Sequence, residues 1–277
     1  MPEILSPEDY VEPRCLLCDE PYGAAPQPVM IPRARVLEKL DDYMAKRAFD
    51  DAERHLRYWL SEAQAGRDKQ GQFQILNEMM GCYRKLGRGD EALDAAEKTL
   101  ALAKEMRIDD AVSGATAALN AATVCDAFGK TERSLELFRA AKTVFERDLP
   151  EDDPRLGGLY NNMGLSLVSA GLYDEAEAIY RRALSIMAHA PRGRLEQAIT
   201  YLNLADAVYA RLGAEEAEET VGDCLDKAEA LLSDPAEARD GYYAFVCEKC
   251  ASAFRYHGRF AFASELEKRA EEIYAGA

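Results

Sequence analysis

Apolar residues recur every three or four positions along most of the chain, a spacing typical of amphipathic helices. In the clearest stretch, residues 157–187 (GGLYNNMGLSLVSAGLYDEAEAIYRRALSIM), Gly171 separates two such periodic runs. Glycine readily ends a helix because it has no Cβ to oppose a left-handed turn. We therefore expect a hairpin of two helices here. The residues that carry the pattern are Asn162, Met163 and Gly164 before the turn and Tyr173, Ala176, Tyr180, Ala183 and Leu184 after it.

The same hairpin pattern is repeated along the chain. Glycines at the predicted turns, Gly87, Gly129, Gly171 and Gly213, follow one another at intervals of 42 residues. Matching apolar runs on either side of these turns bring the total to about six hairpins between residues 33 and 277. One hairpin cannot bury both of its faces, so adjacent hairpins must stack. The sequence therefore predicts a single all-α array rather than two globular domains.

Small residues occupy matching places on the first helix of successive hairpins, at Ala122, Gly164, Ala205 and Ala251. The side chains at a contact set how closely two helices approach, so a small residue allows a close neighbour. We expect larger apolar residues one position away, such as Met163, to fill the space between hairpins.

This hairpin, with its turn glycine, its small residue in the first helix and Tyr180 and Ala183 in the second, resembles the tetratricopeptide repeat. The usual repeat of that family is about 34 residues. The 42-residue interval is similar to the longer repeats of kinesin light chains and of some bacterial regulators. The resemblance implies a right-handed superhelical solenoid over residues 33–277, in which first helices line a concave groove. It also implies a non-catalytic scaffold or adaptor that binds a protein or peptide segment in that groove.

The resemblance places six candidate binding residues on the groove face of the first helices. Cationic residues lie toward both ends of the groove, so the expected ligand is an extended segment with an acidic anchor and apolar side chains. Asparagines at positions 120, 162 and 203 are expected instead to make hydrogen bonds between adjacent hairpins. The six candidates are Asn77, Arg84, Lys85, Asn161, Tyr209 and Arg255.

Residues 1–32 belong to no repeat and contain seven of the eleven prolines. Proline removes a backbone donor and favours extended geometry in the residue before it. We expect an extended N-terminal arm that is either free or laid on the solenoid, and apolar residues such as Tyr10 and Ile31 favour the docked arrangement. In one hypothesis the arm occupies part of the groove and competes with the partner.

Two C-x2-C pairs, Cys15 with Cys18 and Cys247 with Cys250, are the sharpest chemical signal in the chain. Four thiolates suit a structural, tetrahedral zinc ion. Such a site would define a structural or regulatory module in which the arm is stapled to the last hairpin. In the alternative without a cofactor, Cys247 and Cys250 are core residues of the repeat, and Cys15 and Cys18 are apolar contacts of the arm.

The formal net charge of −16 limits the kinds of partner that we expect this protein to bind. An acidic chain repels phosphate backbones and anionic lipid, so we expect neither nucleic acid nor a membrane surface as a partner. The chain shows no secretory signal and no apolar run of the ~18 residues that a membrane helix needs. Seven cysteines, an odd number, favour reduced thiols. These features predict a cytoplasmic protein.

Catalytic residues do not form a recognisable set in the sequence. His55, His189 and His257 fall in different repeats, and none belongs to a nucleophile motif. We therefore expect no enzymatic activity.

Overall fold

The computed structural model describes residues 28–191 and 193–276, and within these ranges the chain forms twelve α-helices and no strand. Consecutive helices pair into six hairpins, so the expected all-α repeat array is confirmed. The helices are α1 (Arg33–Ala45), α2 (Phe49–Ala65), α3 (Lys69–Lys85), α4 (Gly89–Glu105), α5 (Val112–Ala127), α6 (Thr131–Asp148), α7 (Pro154–Ser169), α8 (Tyr173–Met187), α9 (Gly193–Leu212), α10 (Ala214–Ser233), α11 (Gly241–Tyr256) and α12 (Phe260–Ala275).

One residue in the left-handed conformation lies between the two helices of each hairpin. In the first hairpin this residue is Arg47, with φ of 54°. Its amide donates to the carbonyl of Met44 at 3.1 Å, and the next amide, of Ala48, donates to Tyr43 at 2.9 Å, which closes the helix end. The other five hairpins use glycine, with φ between 69° and 81°, at Gly87, Gly129, Gly171, Gly213 and Gly258.

In the third to sixth hairpins the small residues predicted from the sequence lie in the core. Gly164, Ala122, Ala205 and Ala251 are all buried at the contacts between helices. Met163, one position from Gly164, is buried as well. The prediction that small residues permit close helix contact and larger neighbours fill the gaps is confirmed.

Aspartates begin several of the helices. Asp153 accepts a hydrogen bond from the Arg155 amide at 2.9 Å, and Pro154 takes the first position of α7. Proline is well tolerated there because the first amides of a helix have no partner within the helix. Asp240 caps α11 in the same way by accepting from the amides of Tyr242 and Tyr243.

The five described residues before α1, 28–32, lie on the turn between α2 and α3. The Val29 amide donates to the Gly66 carbonyl at 2.8 Å, and the Ile31 amide donates to Asp68 Oδ2 at 3.0 Å. The Ile31 side chain is buried. The rest of the predicted arm, residues 1–27, lies outside the described residues.

Packing along the array follows the order of the chain. From α1 to α10 each helix packs against the next one, and α11 packs against α9 and α12. The first helices α3, α5, α7, α9 and α11 also contact one another in sequence. They therefore form a continuous wall on one side of the array. None of the helices in the described ranges is both long and apolar enough to cross a membrane.

Candidate functional site

Helix α11 presents two very different faces. Tyr243, Cys247 and Cys250 point into the core and are buried. Tyr242, Phe245 and Lys249, spaced three and four positions apart, form an exposed stripe on the other side. This stripe faces the wall made by the neighbouring first helices.

A cleft of about 440 Å³, here called the aromatic cleft, lies where α7, α9 and α11 meet the turn between α8 and α9. Its volume is in the range typical of ligand sites. Tyr242 and Phe245 line it and are 37% and 45% exposed, with their rings stacked at 6.2 Å. The residues that matter for its chemistry are Arg155, Asn161, Glu196, Tyr242, Phe245 and Lys249.

Charged groups surround the aromatic pair with both signs. Glu196 accepts a hydrogen bond from the Tyr242 hydroxyl. Arg155 pairs with Asp153, with Nη2 2.6 Å from Oδ2. Lys249 is exposed, lines the cleft and provides a positive charge next to the aromatic surface.

Two asparagine pairs link first helices along the wall. Asn161 Oδ1 accepts from Asn203 Nδ2 at 2.8 Å, and Asn77 Oδ1 accepts from Asn120 Nδ2 at 3.0 Å. The hydrogen bonds expected from Asn120 and Asn203 are therefore present. Their partners are two of the predicted binding residues, and Asn161 is only 4% exposed. Asn161 joins the helices of the aromatic cleft and contributes to its floor.

A second cleft, of about 310 Å³, surrounds Asn77 between α3 and α5 and is here called the polar cleft. Phe73 and Glu78 also line it. Burial raises the pKa of Glu78, and the nearby charge of Asp41 raises it further. A hydrogen bond from Asn77 lowers the pKa but does not cancel this rise. This cleft therefore holds a carboxylate that is costly to ionise.

The cationic candidates Arg84 and Lys85 lie at the end of α3 and are exposed. Partial burial lowers the pKa of Lys85, and the positive charges of Arg84 and Arg47 lower it further. Three cations thus gather at this end of the wall, and Arg47 among them is paired with Glu248.

The remaining candidates, Tyr209 and Arg255, lie near the ends of α9 and α11. The Tyr209 ring is 5.7 Å from that of Tyr256. Arg255 is held against α12 because its Nη2 contacts both carboxylate oxygens of Glu267 at 2.7 Å. The six predicted residues therefore lie on the same wall but do not converge on one pocket, and their role in binding stays a prediction.

The predicted zinc ligands Cys247 and Cys250 are 0% and 1% exposed. Burial raises the pKa of the Cys247 thiol, and it raises the pKa of Cys250 to about 12. Within the described ranges, no group of three or more residues of metal-binding type is arranged to hold a metal ion. The other two proposed ligands, Cys15 and Cys18, lie outside the described residues, so the zinc site stays a prediction.

Tyr242 and Phe245 were not among the residues predicted from the sequence. A signal was available, because the exposed stripe of α11 repeats at helical spacing beside the buried stripe through Tyr243. Periodicity alone, however, does not show that an exposed aromatic residue faces a neighbouring helix rather than open solvent.

Six stacked hairpins with a continuous wall of first helices define this chain as an α-solenoid repeat protein. Within that class, the sequence matches the tetratricopeptide repeat over residues 71–147 and 156–230, more than half of the chain. The chain therefore belongs to the tetratricopeptide repeat family.

Solved structures show the same fold. BtubC (BKLC) from P. vanneervenii superposes with a TM-score of 0.63 and 24% sequence identity, over 74% of this chain and 83% of that one. NprR, solved in complex with its cognate peptide NprX, superposes with a TM-score of 0.55 and 16% identity, over 89% of this chain and 71% of that one. A comparison with curated proteins gave no match in sequence.

Proposed function

We propose that this protein is a non-catalytic scaffold that binds an extended segment of a partner protein in the aromatic cleft. The observation that carries the proposal is the stacked, exposed pair Tyr242–Phe245 beside a cleft of about 440 Å³ on the wall of first helices. Two comparisons support it: the tetratricopeptide repeat is a protein-interaction fold, and the neighbour NprR was solved with a peptide bound.

Exposed aromatic rings are the natural energetic centre of such an interface. Tyrosine and other large aromatic residues are enriched among the few residues that dominate binding energy, because they bury much apolar area at little entropic cost. Phe245 lacks a polar group, so its exposed face gains most when a partner covers it. An aliphatic or aromatic side chain of the partner is therefore the first element of the proposed ligand.

Lys249 supplies the second element. It lies one helical turn beyond Phe245 on the same stripe, so a carboxylate of the partner can reach it while an apolar side chain covers Phe245. The Glu196 carboxylate already accepts from the Tyr242 hydroxyl. The proposed ligand is thus an extended peptide with an apolar side chain followed by an acidic group.

Selection of displayed random peptides against the full-length chain tests this proposal. Peptides that bind should share an apolar residue next to Asp or Glu. In calorimetry, Phe245→Ala should raise the dissociation constant about tenfold or more. Lys249→Glu should weaken the binding of acidic peptides. It should strengthen the binding of versions in which Lys replaces the acidic residue, and this reversal identifies the charge contact.

Phe260→Ala is the matched control, because Phe260 is an even more exposed phenylalanine, at 61% against 45% for Phe245, and lies at the start of α12, a second helix. It should leave the dissociation constant unchanged. Selection of no peptide, or of peptides that bind Phe245→Ala and wild type equally, would overturn the proposal.

The N-terminal arm is proposed as a competitor for the same wall. A chain that begins at Pro28 keeps the contacts of Val29 and Ile31 with the α2–α3 turn and removes only residues 1–27. If the arm competes, the selected peptides should bind this shorter chain more tightly than the full chain. Equal affinities would discard the competition.

A further inference from the structure

The first and last hairpins contact each other directly, although they are at opposite ends of the chain. Arg47 Nη1, in the turn between α1 and α2, lies 3.3 Å from Glu248 Oε1 on α11. The same guanidinium lies over the ring of Tyr274 on α12, 5.7 Å from its centre. Arg47, Glu248 and Tyr274 are here called the end contact. They bridge 201 residues of sequence, whereas the extensive helix packing in the described ranges joins neighbours along the array.

The left-handed backbone conformation at Arg47 makes any side chain at this position energetically costly. This position is the left-handed residue of the hairpin turn, and the other five hairpins all have glycine at it. A residue with a Cβ is disfavoured in this conformation relative to glycine. The one hairpin that has an arginine instead is the one whose turn reaches the far end of the array. Arg67 and Arg107 adopt the same conformation in turns between hairpins, so the contact with Glu248, and not the strain, distinguishes Arg47.

The end contact is also adjacent to the proposed binding site. Glu248 is followed directly by Lys249, and Phe245 is three positions before it on the same helix. A movement of α11 relative to both α9 and the first hairpin would therefore change the end contact and the aromatic cleft together.

We propose that the end contact is a latch that holds the solenoid closed on itself and that its opening admits the partner to the concave wall. The proposal deepens the binding function above and rests on it only for the second part, the admission of the partner. The first part, that the end contact holds the solenoid closed, concerns the protein without a bound partner.

The strength of the contact suits a latch. Both partners of the ion pair are exposed, Arg47 by 59% and Glu248 by 43% of the side chain. An exposed ion pair together with a cation–π contact favours the closed form by roughly two- to thirtyfold. Such a bias keeps the array closed most of the time and is overcome by a ligand of ordinary affinity.

Energy transfer between dyes on the ligand-free, full-length protein tests closure. Dyes attached through unnatural amino acids at the exposed positions Lys46 and Glu271 report the distance between the end hairpins. Arg47→Glu should lower the transfer efficiency, because it places two carboxylates against each other. Combining Arg47→Glu with Glu248→Arg should restore much of it. Raised salt should lower the efficiency of the wild type toward that of Arg47→Glu.

Two controls separate opening from unfolding. Arg67→Glu makes the same charge change at another left-handed arginine, in the turn between α2 and α3, and should leave the transfer efficiency unchanged. Arg47→Gly removes the latch but relieves the backbone, so it should open the array while its melting temperature is maintained or rises. An Arg47→Glu protein with wild-type helicity and wild-type transfer efficiency would overturn the latch.

The rate of peptide binding tests whether opening of the latch admits the partner. A dye-labelled peptide from the selection above should associate severalfold faster with Arg47→Glu than with the wild type or Arg67→Glu. Equal association rates with a confirmed opening would restrict the latch to a structural role. If the selection gives no peptide, the proposed function fails, and the dye distances still decide whether the ends are latched.

Discussion

The ring of Tyr180 on α8 lies against Gly164 on α7, in the space that a larger residue would need for its side chain. A Cβ built on Gly164 would lie 2.3 Å from two atoms of that ring, far inside any normal contact distance. Tyr180 is itself fully buried, so its ring has little room to move away. This contact sets how closely the two helices of the fourth hairpin approach.

Gly164→Ala should therefore destabilise the protein by about 1–3 kcal/mol, the usual cost of overpacking a filled core. The result is opposite to the effect expected from helix propensity, in which alanine is better than glycine. Chemical denaturation followed by circular dichroism measures the difference in free energy of unfolding.

Gly222→Ala is the control for this comparison. Gly222 lies inside α10, and an added Cβ meets nothing within 4 Å. The substitution should raise the free energy of unfolding by up to about 1 kcal/mol. If Gly164→Ala is as stable as Gly222→Ala, the contact with Tyr180 does not set the helix spacing.

Replacing Arg107 with glycine should stabilise the protein. It ends α4 with φ of 57°, and the amides of Arg107 and Ile108 donate to Lys104 and Ala103 at 3.0 Å. A side chain in this conformation costs roughly 1–2 kcal/mol, of which the greater flexibility of unfolded glycine cancels part. Arg107→Gly should gain about 0.5–1 kcal/mol of stability. Gly129→Ala, the reverse change at a left-handed glycine with open space around it, should lose a similar amount.

The hairpins were predictable because their signals are local. A turn glycine such as Gly171 is required by the backbone conformation of one residue, and the helical period is visible within two turns on either side. The small residue at Gly164 was predictable for the same reason, since small residues recur at matching places in four of the hairpins.

The end contact and the aromatic cleft were not predictable in this way. Whether Arg47 meets Glu248 depends on the sum of small rotations over six hairpins, which no single repeat reveals. The role of Phe245 depends likewise on which neighbour its exposed face meets. The pairing of Asn161 with Asn203 likewise depends on the spacing between α7 and α9, which lies outside any one repeat.

Glu78→Gln should stabilise the protein at neutral pH and do so less in acid. The pKa of Glu78 is raised above the ordinary value of 4.5 in the folded state, first by burial and then by Asp41. The ionised carboxylate therefore opposes folding above the folded-state pKa, and this penalty disappears below about pH 4.5, where the unfolded chain is also protonated. The denaturation midpoint of the variant should exceed that of the wild type at pH 7, and the difference should shrink at pH 4.

Removing one negative charge from an acidic protein also reduces general repulsion, so a control is needed. Glu218→Gln makes the same change at an exposed position of α10. Its effect should be small and should not follow the same pH dependence. Equal gains for the two variants at pH 7 would show that the environment of Glu78 is not the cause.

Thiol reactivity should divide the seven cysteines into two groups. Cys82, Cys125, Cys224, Cys247 and Cys250 are buried, and burial raises the pKa of each of these thiols.

The thiolate is the reactive form, and at a pKa of about 12 roughly one Cys250 thiol in ten thousand is ionised at pH 8. A chromogenic disulfide reagent should therefore modify at most two thiols rapidly in the native protein, Cys15 and Cys18, and all seven in guanidinium chloride. The double variant Cys15→Ser, Cys18→Ser should lose the fast phase entirely. If zinc binds the two C-x2-C pairs, metal analysis should find about one equivalent, and the fast phase should appear only after a chelator is added. Rapid native modification of more than two thiols would contradict the burial of the hairpin cysteines.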